Sequence, residues 1–238
     1  VLGRRDILDT PEEVVREWEQ EKISQVLERV YDEVWIYGKR EIYNPVKEYP
    51  PLGRIAHKVF FLGYLSQKEQ GFAQAGQAQD DLSTESILVT AGGGADGARL
   101  LEVFLDYYGS AARRACPVEL LAGPLLAGDV ATAVQKRCQQ AGVGFYHFHP
   151  HPERLMDQSG LIVCMGGYNT VCEVLVRNKP CLVVPREEPR KEQLLRAELF
   201  DRLGLVAHLP WSRLAPEMLA RELERARSYP KSSLVPEM

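Results

Sequence analysis

Residues 160–173 have the sequence GLIVCMGGYNTVCE, and this stretch decides the predicted fold. Its apolar half, 161–165, is typical of a buried strand, and a helical pattern follows the glycine turn. Gly166 and Gly167 therefore join a strand to a helix N-terminus, where unpaired N–H groups and the helix dipole attract anions. Glu173 lies one turn further on, where its carboxylate could accept both hydroxyls of a ribose. Together these features indicate a nucleoside diphosphate.

The same residues allow an interpretation without a ligand. Thr170 and Glu173 have the spacing of a capping box, which would stabilise the helix by about 1 kcal/mol. The sequence leaves both interpretations open, and they are compatible in the empty protein.

Strands and helices alternate from residue 86 onward. Strands are predicted at 87–90, 118–122, 144–148, 161–165, 181–185 and 206–209. Helices are predicted at 96–113, 129–141, 152–158, 169–178, 189–203 and 213–227. Six such βα units predict the α/β class, with a doubly wound, Rossmann-like parallel sheet. Ligands of these sheets bind at the carboxyl ends of the strands, where the glycine turn falls.

A second glycine turn, GGGADG at 92–97, matches the dinucleotide pattern G-x-G-x-x-G between a strand and a helix. An NAD site also needs an acid at the end of the next strand, about 20 residues on, whereas Glu119 lies in mid-strand. We therefore favour a phosphate or sugar near Gly92, Gly93 and Gly94. A tight turn that needs glycine for its geometry alone remains an alternative.

Polar residues follow the predicted strand at 181–185. Arg186 or Arg190 could neutralise phosphate, and Glu192 and Gln193 could bind sugar hydroxyls, although a solvated charged first turn is equally compatible. Leu194, Leu195, Leu199 and Leu203 are predicted to form the buried face of that helix.

The sequence HFHPH at 147–151 invites a metal interpretation, but its prolines break the strand, so a loop lining a nucleotide pocket is favoured. The chain has no Asp-x-Asp pair for a metal-bridged diphosphate. No metal and no cofactor are expected.

Composition limits the class of protein. The 238 residues are 45% hydrophobic and carry a formal net charge of −4, which argues against a nucleic-acid partner. The five cysteines form no CxxC pair, which fits reduced thiols in a cytoplasmic protein. No apolar run reaches the roughly 20 residues of a membrane span. The chain begins with Val1 rather than methionine, and we expect a preceding segment.

The N-terminal part predicts half of an α/β domain. Thr10, Pro11 and Glu13 give a capping box with proline at the first helical position, so a helix is predicted at 11–31. A buried strand is predicted at 34–38 and a proline-rich loop at 43–52. Residues 58–65 are predicted to be an extended bridge, and the polar stretch 67–83 a connector.

The order of motifs resembles the donor domain of MurG-like, family-28 glycosyltransferases of the GT-B fold. The resemblance rests on MGGYNTVCEVL at 165–175, KPCLVVPR at 179–186, and Glu192, Gln193, Arg196 and Ala197. It covers residues 86–227 and is closest to uncharacterised predicted glycosyltransferases. GGGADG and the Glu-Gln pair depart from the MurG pattern, which leaves the donor sugar open.

The resemblance implies a division of the chain. Residues 1–57 would be the remnant of an N-terminal acceptor domain, 58–85 a bridge and linker, 86–212 the nucleotide-sugar-binding domain, and 213–238 a return helix and tail. The missing part of the acceptor domain, the nucleotide-sugar donor and an unknown acceptor would be the partners.

The resemblance also implies roles for residues. Asn169 and Thr170 would contact the diphosphate, Glu173 the ribose, Glu192 and Gln193 the sugar, Gly92–Gly94 the phosphate or sugar, and Phe148 the base. The family's catalytic base lies in a glycine loop that this chain lacks, so no catalytic residue is carried over.

The function implied is transfer of a sugar from a UDP-linked donor to an acceptor hydroxyl, without an obligatory metal. Alternatives are a nucleotide-sugar hydrolase or epimerase of similar fold, a non-enzymatic nucleotide-binding module and an NAD-dependent oxidoreductase.

Overall fold

The computed structural model describes residues 1–65, 85–110 and 116–229, and these form two parallel sheets. The first sheet contains β1 (Leu2–Arg5), β2 (Val34–Tyr37) and β3 (Val59–Phe61), in that spatial order. It is accompanied by α1 (Pro11–Gln20), α2 (Ile23–Val30), α3 (Pro45–Glu48) and α4 (Pro50–Arg54). The predicted connector at 67–83 lies outside the described residues.

The second sheet has six strands, β4 (Ile87–Thr90), β5 (Val118–Leu121), β6 (Gly144–Tyr146), β7 (Leu161–Cys164), β8 (Cys181–Val183) and β9 (Ala207–His208). Their order is β6-β5-β4-β7-β8-β9, and every neighbouring pair is parallel. The chain reverses its winding direction between β4 and β7. This confirms the predicted doubly wound, Rossmann-like sheet.

Helices cover both faces of the six-stranded sheet, because its strands are apolar on both sides. They are α5 (Ala98–Gly109), α6 (Gly128–Ala141), α7 (Pro152–Gln158), α8 (Tyr168–Val176), α9 (Glu192–Arg202) and α10 (Pro216–Arg227). One core layer packs α5, α6 and α10 on the sheet, and the other packs α7, α8 and α9. The predicted helix residues 111–113 lie outside the described part.

The predicted helix at 11–31 is wrong in one respect. Its start is confirmed, since the Thr10 hydroxyl accepts from the Glu13 N–H and Pro11 is the first helical residue. The helix then breaks at Lys22, whose φ of 56° is left-handed. Beyond the break, Leu27 is buried, whereas Val26 is 43% exposed. Helical spacing could not reveal this break, because no glycine or proline marks it.

Three further predictions need correction. The segment 43–52, predicted to be a proline-rich loop, contains α3 and the start of α4. The segment expected to be an extended bridge contributes strand β3, which pairs with β2, so the first sheet has three strands. In α9, the fully buried side chains are those of Arg196, Ala197 and Phe200 rather than of the predicted leucines, and Leu203 is 37% exposed. An arginine was not a candidate for the core because burial of its charge requires partners that only the fold supplies.

A buried polar cluster joins the two sheets. Arg196 of α9 is 1% exposed and lies 3.8 Å from the carboxylate of Asp6, which follows β1 and is 0% exposed. Arg196 also donates to the backbone oxygens of Gly166, at 3.2 Å, and Ile7, at 3.4 Å. The Tyr64 hydroxyl donates to Asp6 at 2.8 Å. Burial raises the pKa of the Asp6 carboxyl, and the Arg196 guanidinium partly opposes this shift.

We predict that Arg196→Met destabilises the protein by about 3 kcal/mol at neutral pH, because it leaves the Asp6 carboxylate buried without its counter-charge. Urea denaturation measures this change. The Asp6 pKa is already raised in the folded state, and the variant raises it further. Since the neutral carboxyl favours the folded state, the penalty should shrink as pH falls through the folded-state pKa of Asp6.

The matched control is Arg137→Met, which breaks a half-exposed ion pair with Asp106 at 2.6 Å. It should change the unfolding free energy by less than about 1 kcal/mol. Equal effects of the two substitutions would contradict the structural role assigned to Arg196.

Candidate functional site

A cavity of about 490 Å³ opens at the carboxyl ends of β1, β4, β5 and β7. Both glycine turns line it, as expected for a doubly wound sheet. Of the predicted site residues, those that line it are Gly92, Gly93, Gly94, Phe148, Gly167, Asn169, Thr170, Glu173, Arg186 and Gln193. Gly166 and Glu192, which were also predicted, are not among the lining residues.

The N-terminus of α8 faces this cavity. Gly167 is the N-cap, and the first helical hydrogen bond runs from the Val171 N–H to the Gly167 oxygen at 3.0 Å. The N–H groups of Tyr168, Asn169 and Thr170 consequently have no acceptor within the helix. Because Thr170 is the third helical residue and not the N-cap, the capping-box interpretation is wrong.

Glu173 lies on the same helix and also lines the cavity. Its carboxylate pairs with Arg177 one turn later, and Arg177 also pairs with Asp157 at 2.9 Å. The side chains of Glu173 and Arg177 are only 18% and 13% exposed. Arg177 therefore fixes the orientation of the Glu173 carboxylate at the cavity wall.

The two glycine turns converge. Thr170 Oγ1 lies 3.8 Å from the position that a Cβ on Gly92 would occupy. Packing requires glycine at positions 94 and 166, since a Cβ on Gly94 (φ 92°) would lie 2.5 Å from the Ala122 oxygen, and one on Gly166 (φ 80°) would lie 2.7 Å from Val183 Cγ1. A Cβ on Gly167 would meet no atom within 4 Å.

The first glycine turn is the weaker candidate for a phosphate. Its Gly92 N–H donates to the Thr90 hydroxyl at 3.2 Å, and its Gly94 N–H donates to the Ala91 oxygen at 3.3 Å. The Asp96 carboxylate adds negative charge to the turn. The α8 N-terminus, whose first N–H groups have no acceptor within the helix, therefore suits a diphosphate better.

Glu119 cannot take the part of the ribose acid in a dinucleotide site. It is not among the residues that line the cavity, and its side chain lies against Gly144 on the neighbouring strand. Burial raises the pKa of its carboxyl. The GGGADG turn therefore lacks the ribose-binding acid that an NAD site requires at the end of the next strand.

Arg186 is already neutralised in this structure. Its guanidinium pairs with Asp96 and with Glu192, each at 3.0 Å. With its amide oriented to satisfy its neighbours, Gln193 donates to the Met165 oxygen at 2.6 Å and accepts from Arg186 Nε at 3.3 Å. Arg186 therefore ties the first glycine turn to the start of α9.

Arg190, the other arginine considered for phosphate, pairs with Glu17 of α1 at 2.6 Å. It joins the N-terminal unit to the loop before α9 and is absent from the cavity lining.

The rim of the cavity is apolar. Phe148 is 62% exposed and Leu125 is 68% exposed, and both line the opening. His149, which also lines it, accepts from the His151 N–H at 3.1 Å, and the His151 ring lies 3.0 Å from Glu153. Within the described ranges, no three His, Cys, Asp or Glu side chains are grouped to hold a metal ion.

Arg5 and Tyr168 are cavity residues that were not predicted. Arg5 belongs to β1, a four-residue strand too short to be recognised from its pattern. Tyr168 begins α8, and its hydroxyl donates to the Tyr37 oxygen at 3.0 Å. In the sequence, the two adjacent arginines at positions 4 and 5 were the only signal that Arg5 could belong to a site.

The family of the chain follows from residues 86–237, which match the model of the glycosyltransferase family 28 C-terminal domain. The chain belongs to this family. A segment of 73 residues is 41% identical to the UDP-N-acetylglucosamine--N-acetylmuramyl-(pentapeptide) pyrophosphoryl-undecaprenol N-acetylglucosamine transferase of Streptococcus thermophilus. A segment of 64 residues is 31% identical to the transferase of the same name from Glaesserella parasuis.

These matches are partial. They cover 30% and 27% of this chain and only 20% and 18% of the two relatives. The match to the family model confirms the family-28 resemblance.

Solved structures agree on the fold. MurG of Acinetobacter baumannii superimposes with a TM-score of 0.53 at 15% identity, covering 93% of this chain and 74% of that one. TcCGT1 in complex with UDP gives 0.63 at 11% identity, covering 97% and 55%. Such likeness shows the fold alone, and it confirms the expected GT-B fold. No described helix of this chain has both the length and the apolar character needed to cross a membrane.

We predict that Gly166→Ala lowers the unfolding free energy by about 1–3 kcal/mol, because alanine is strained at a φ of 80° and would press on Val183. Gly167→Ala is the matched control, since its φ of −57° and open surroundings accept a methyl group. Thermal unfolding of both variants measures the difference. Equal melting temperatures would contradict the packing role of Gly166.

Proposed function

We propose that the chain is the donor-binding part of a glycosyltransferase that moves a sugar from a nucleoside diphosphate sugar to an acceptor hydroxyl. One observation carries the proposal: the first three N–H groups of α8, which have no acceptor within the helix, and the Glu173 carboxylate belong to residues that line the same cavity. Helical rise separates Tyr168 and Glu173 by about 7.5 Å along the axis. A nucleotide lying along α8 would therefore place its diphosphate on the N–H groups and its ribose hydroxyls on Glu173.

The N-terminus of α8 would stabilise the diphosphate as the leaving group. When the acceptor oxygen bonds to the anomeric carbon, the bond between that carbon and the diphosphate oxygen breaks, and the diphosphate leaves with the electron pair. Oriented N–H groups and the α8 dipole stabilise this growing negative charge. This arrangement supports the expectation of a reaction without an obligatory metal. The acceptor proton requires a base, for which these residues offer no candidate.

Other residues of the cavity bind the two ends of the donor in this proposal. Phe148 and Leu125, which are both exposed at the rim, would border the base. Gln193 and the Gly92–Gly94 turn lie towards the sugar. Glu192 acts through Arg186, because their ion pair fixes the arginine that borders the cavity.

The proposed donor is UDP-linked. The names of the Streptococcus and Glaesserella relatives specify UDP-N-acetylglucosamine, and one structure with the same fold contains UDP. A cytoplasmic location forms part of the proposal and is supported by five free cysteines, four of them buried. The preceding acceptor domain remains part of the proposal, as does the division of the chain at residues 57, 85 and 212.

We predict that the protein binds UDP more tightly than 2′-deoxy-UDP and that Glu173→Gln abolishes this preference. The charged hydrogen bonds to the ribose diol should contribute about 1.5–3 kcal/mol, which is lost with the carboxylate. Isothermal titration of both nucleotides, with GDP and NAD as competitors, measures the preference.

Glu102→Gln is the control, because Glu102 is exposed on α5 and absent from the cavity lining. It should leave both affinities unchanged. If folded Glu173→Gln kept the preference for UDP, the ribose role of Glu173 would have to be abandoned. Tight binding of NAD instead of UDP would overturn the proposed donor class.

A further inference from the structure

Arg5 brings a positive charge into the cavity from the N-terminal unit. It is the last residue of β1, its side chain is exposed, and it lines the cavity together with both glycine turns. Its guanidinium carbon lies 5.3 Å from the centroid of the Tyr168 ring. Tyr168 is the first residue of α8, so this cation–π contact brings Arg5 to the same cavity as the N-terminus of that helix.

The strand geometry explains why only one of two adjacent arginines reaches the cavity. Successive side chains of a strand point to opposite faces. Arg4 lies over the Trp18 ring at 4.9 Å, against the helices of its own unit, whereas Arg5 points towards α8. The orientation of Arg5 therefore follows from the register of β1.

The balance of charge singles out Arg5. The lining includes two carboxylates, on Asp96 and Glu173, and two guanidinium groups, on Arg5 and Arg186. Arg186 is held between Asp96 and Glu192. Across residues 1–65, 85–110 and 116–229, the ion pairs do not include Arg5. Its charge remains available for an anionic ligand.

We propose that Arg5 binds the diphosphate of the donor opposite the N-terminus of α8. A guanidinium can form two parallel hydrogen bonds to phosphate oxygens, and helix N–H groups supply further donors. This inference rests on the proposed function and adds a phosphate contact from outside the family-28 domain. The donor site would thus be built from both units, and binding of the diphosphate would link them.

The test compares UDP with uridine in four proteins: the wild type, Arg5→Gln, Arg5→Lys and Arg40→Gln. Arg40 is the matched control, since it is also an exposed arginine of the N-terminal unit, stacked on Phe61 at 4.8 Å and absent from the cavity lining. Isothermal titration measures UDP, and ligand-observed NMR measures uridine.

We expect Arg5→Gln to weaken UDP binding about 10- to 100-fold, the range for lost hydrogen bonds to a charged group. Arg5→Lys should fall between it and the wild type, because lysine keeps the charge without the planar fork. Uridine binding should be unchanged in all four proteins, since uridine carries no phosphate. Arg40→Gln should bind UDP like the wild type.

Several results would overturn the inference. If Arg5→Gln bound UDP like the wild type, Arg5 would have no phosphate role, while the proposed function would stand. If Arg5→Gln lost UDP and uridine equally, the residue would be structural. If the wild type bound neither ligand, the proposed function would fail and the role of Arg5 would fail with it.

Discussion

The buried guanidinium of Arg196 is the interaction on which the arrangement of the site depends. It lies in α9, yet its hydrogen bonds reach the backbone oxygen of Gly166 and that of Ile7, beside the Asp6 carboxylate. A charge that is 1% exposed must have such partners, because burial without them would be strongly unfavourable. The need to satisfy one cation thus fixes the glycine turn, the end of β1 and the start of α9 relative to one another.

This constraint gives the cavity its chemical character. With Gly166 held by Arg196, the N-terminus of α8 faces the opening, and Glu173 follows on the same helix. With Ile7 and Asp6 held from the other side, the preceding residue Arg5 is brought to the Tyr168 ring. The positive N-terminus and its supporting charges are therefore set by backbone positions rather than by a flexible loop. A preorganised site of this kind can stabilise charge on a leaving group without reorganising.

Comparison of the two glycine turns shows why a motif alone is insufficient. GGGADG matches the dinucleotide pattern, yet the N–H groups of its Gly92, Gly94 and Gly97 already have acceptors in the turn or just before it, and Asp96 places a negative charge beside it. The GGYNT turn matches no general pattern, yet the N–H groups of Tyr168, Asn169 and Thr170 have no acceptor within the helix. Sequence spacing supports both turns about equally. Hydrogen-bond partners, which depend on the folded chain, distinguish them.

The sequence by itself determined the alternation of strands and helices, the parallel sheet and the position of both glycine turns, because these depend on local periodicity and on backbone positions that require glycine. It also predicted Glu173 and Gln193 as site residues, and both line the cavity, because each follows the end of a strand along the chain. Only the tertiary structure decided that Arg186 is neutralised, that Arg196 is buried, that the helix after Thr10 breaks at Lys22 and that Arg5 reaches the cavity. The environment of each of these three arginines depends on a partner that is distant along the chain. Such partners cannot be read from the sequence, because electrostatic interactions act across space.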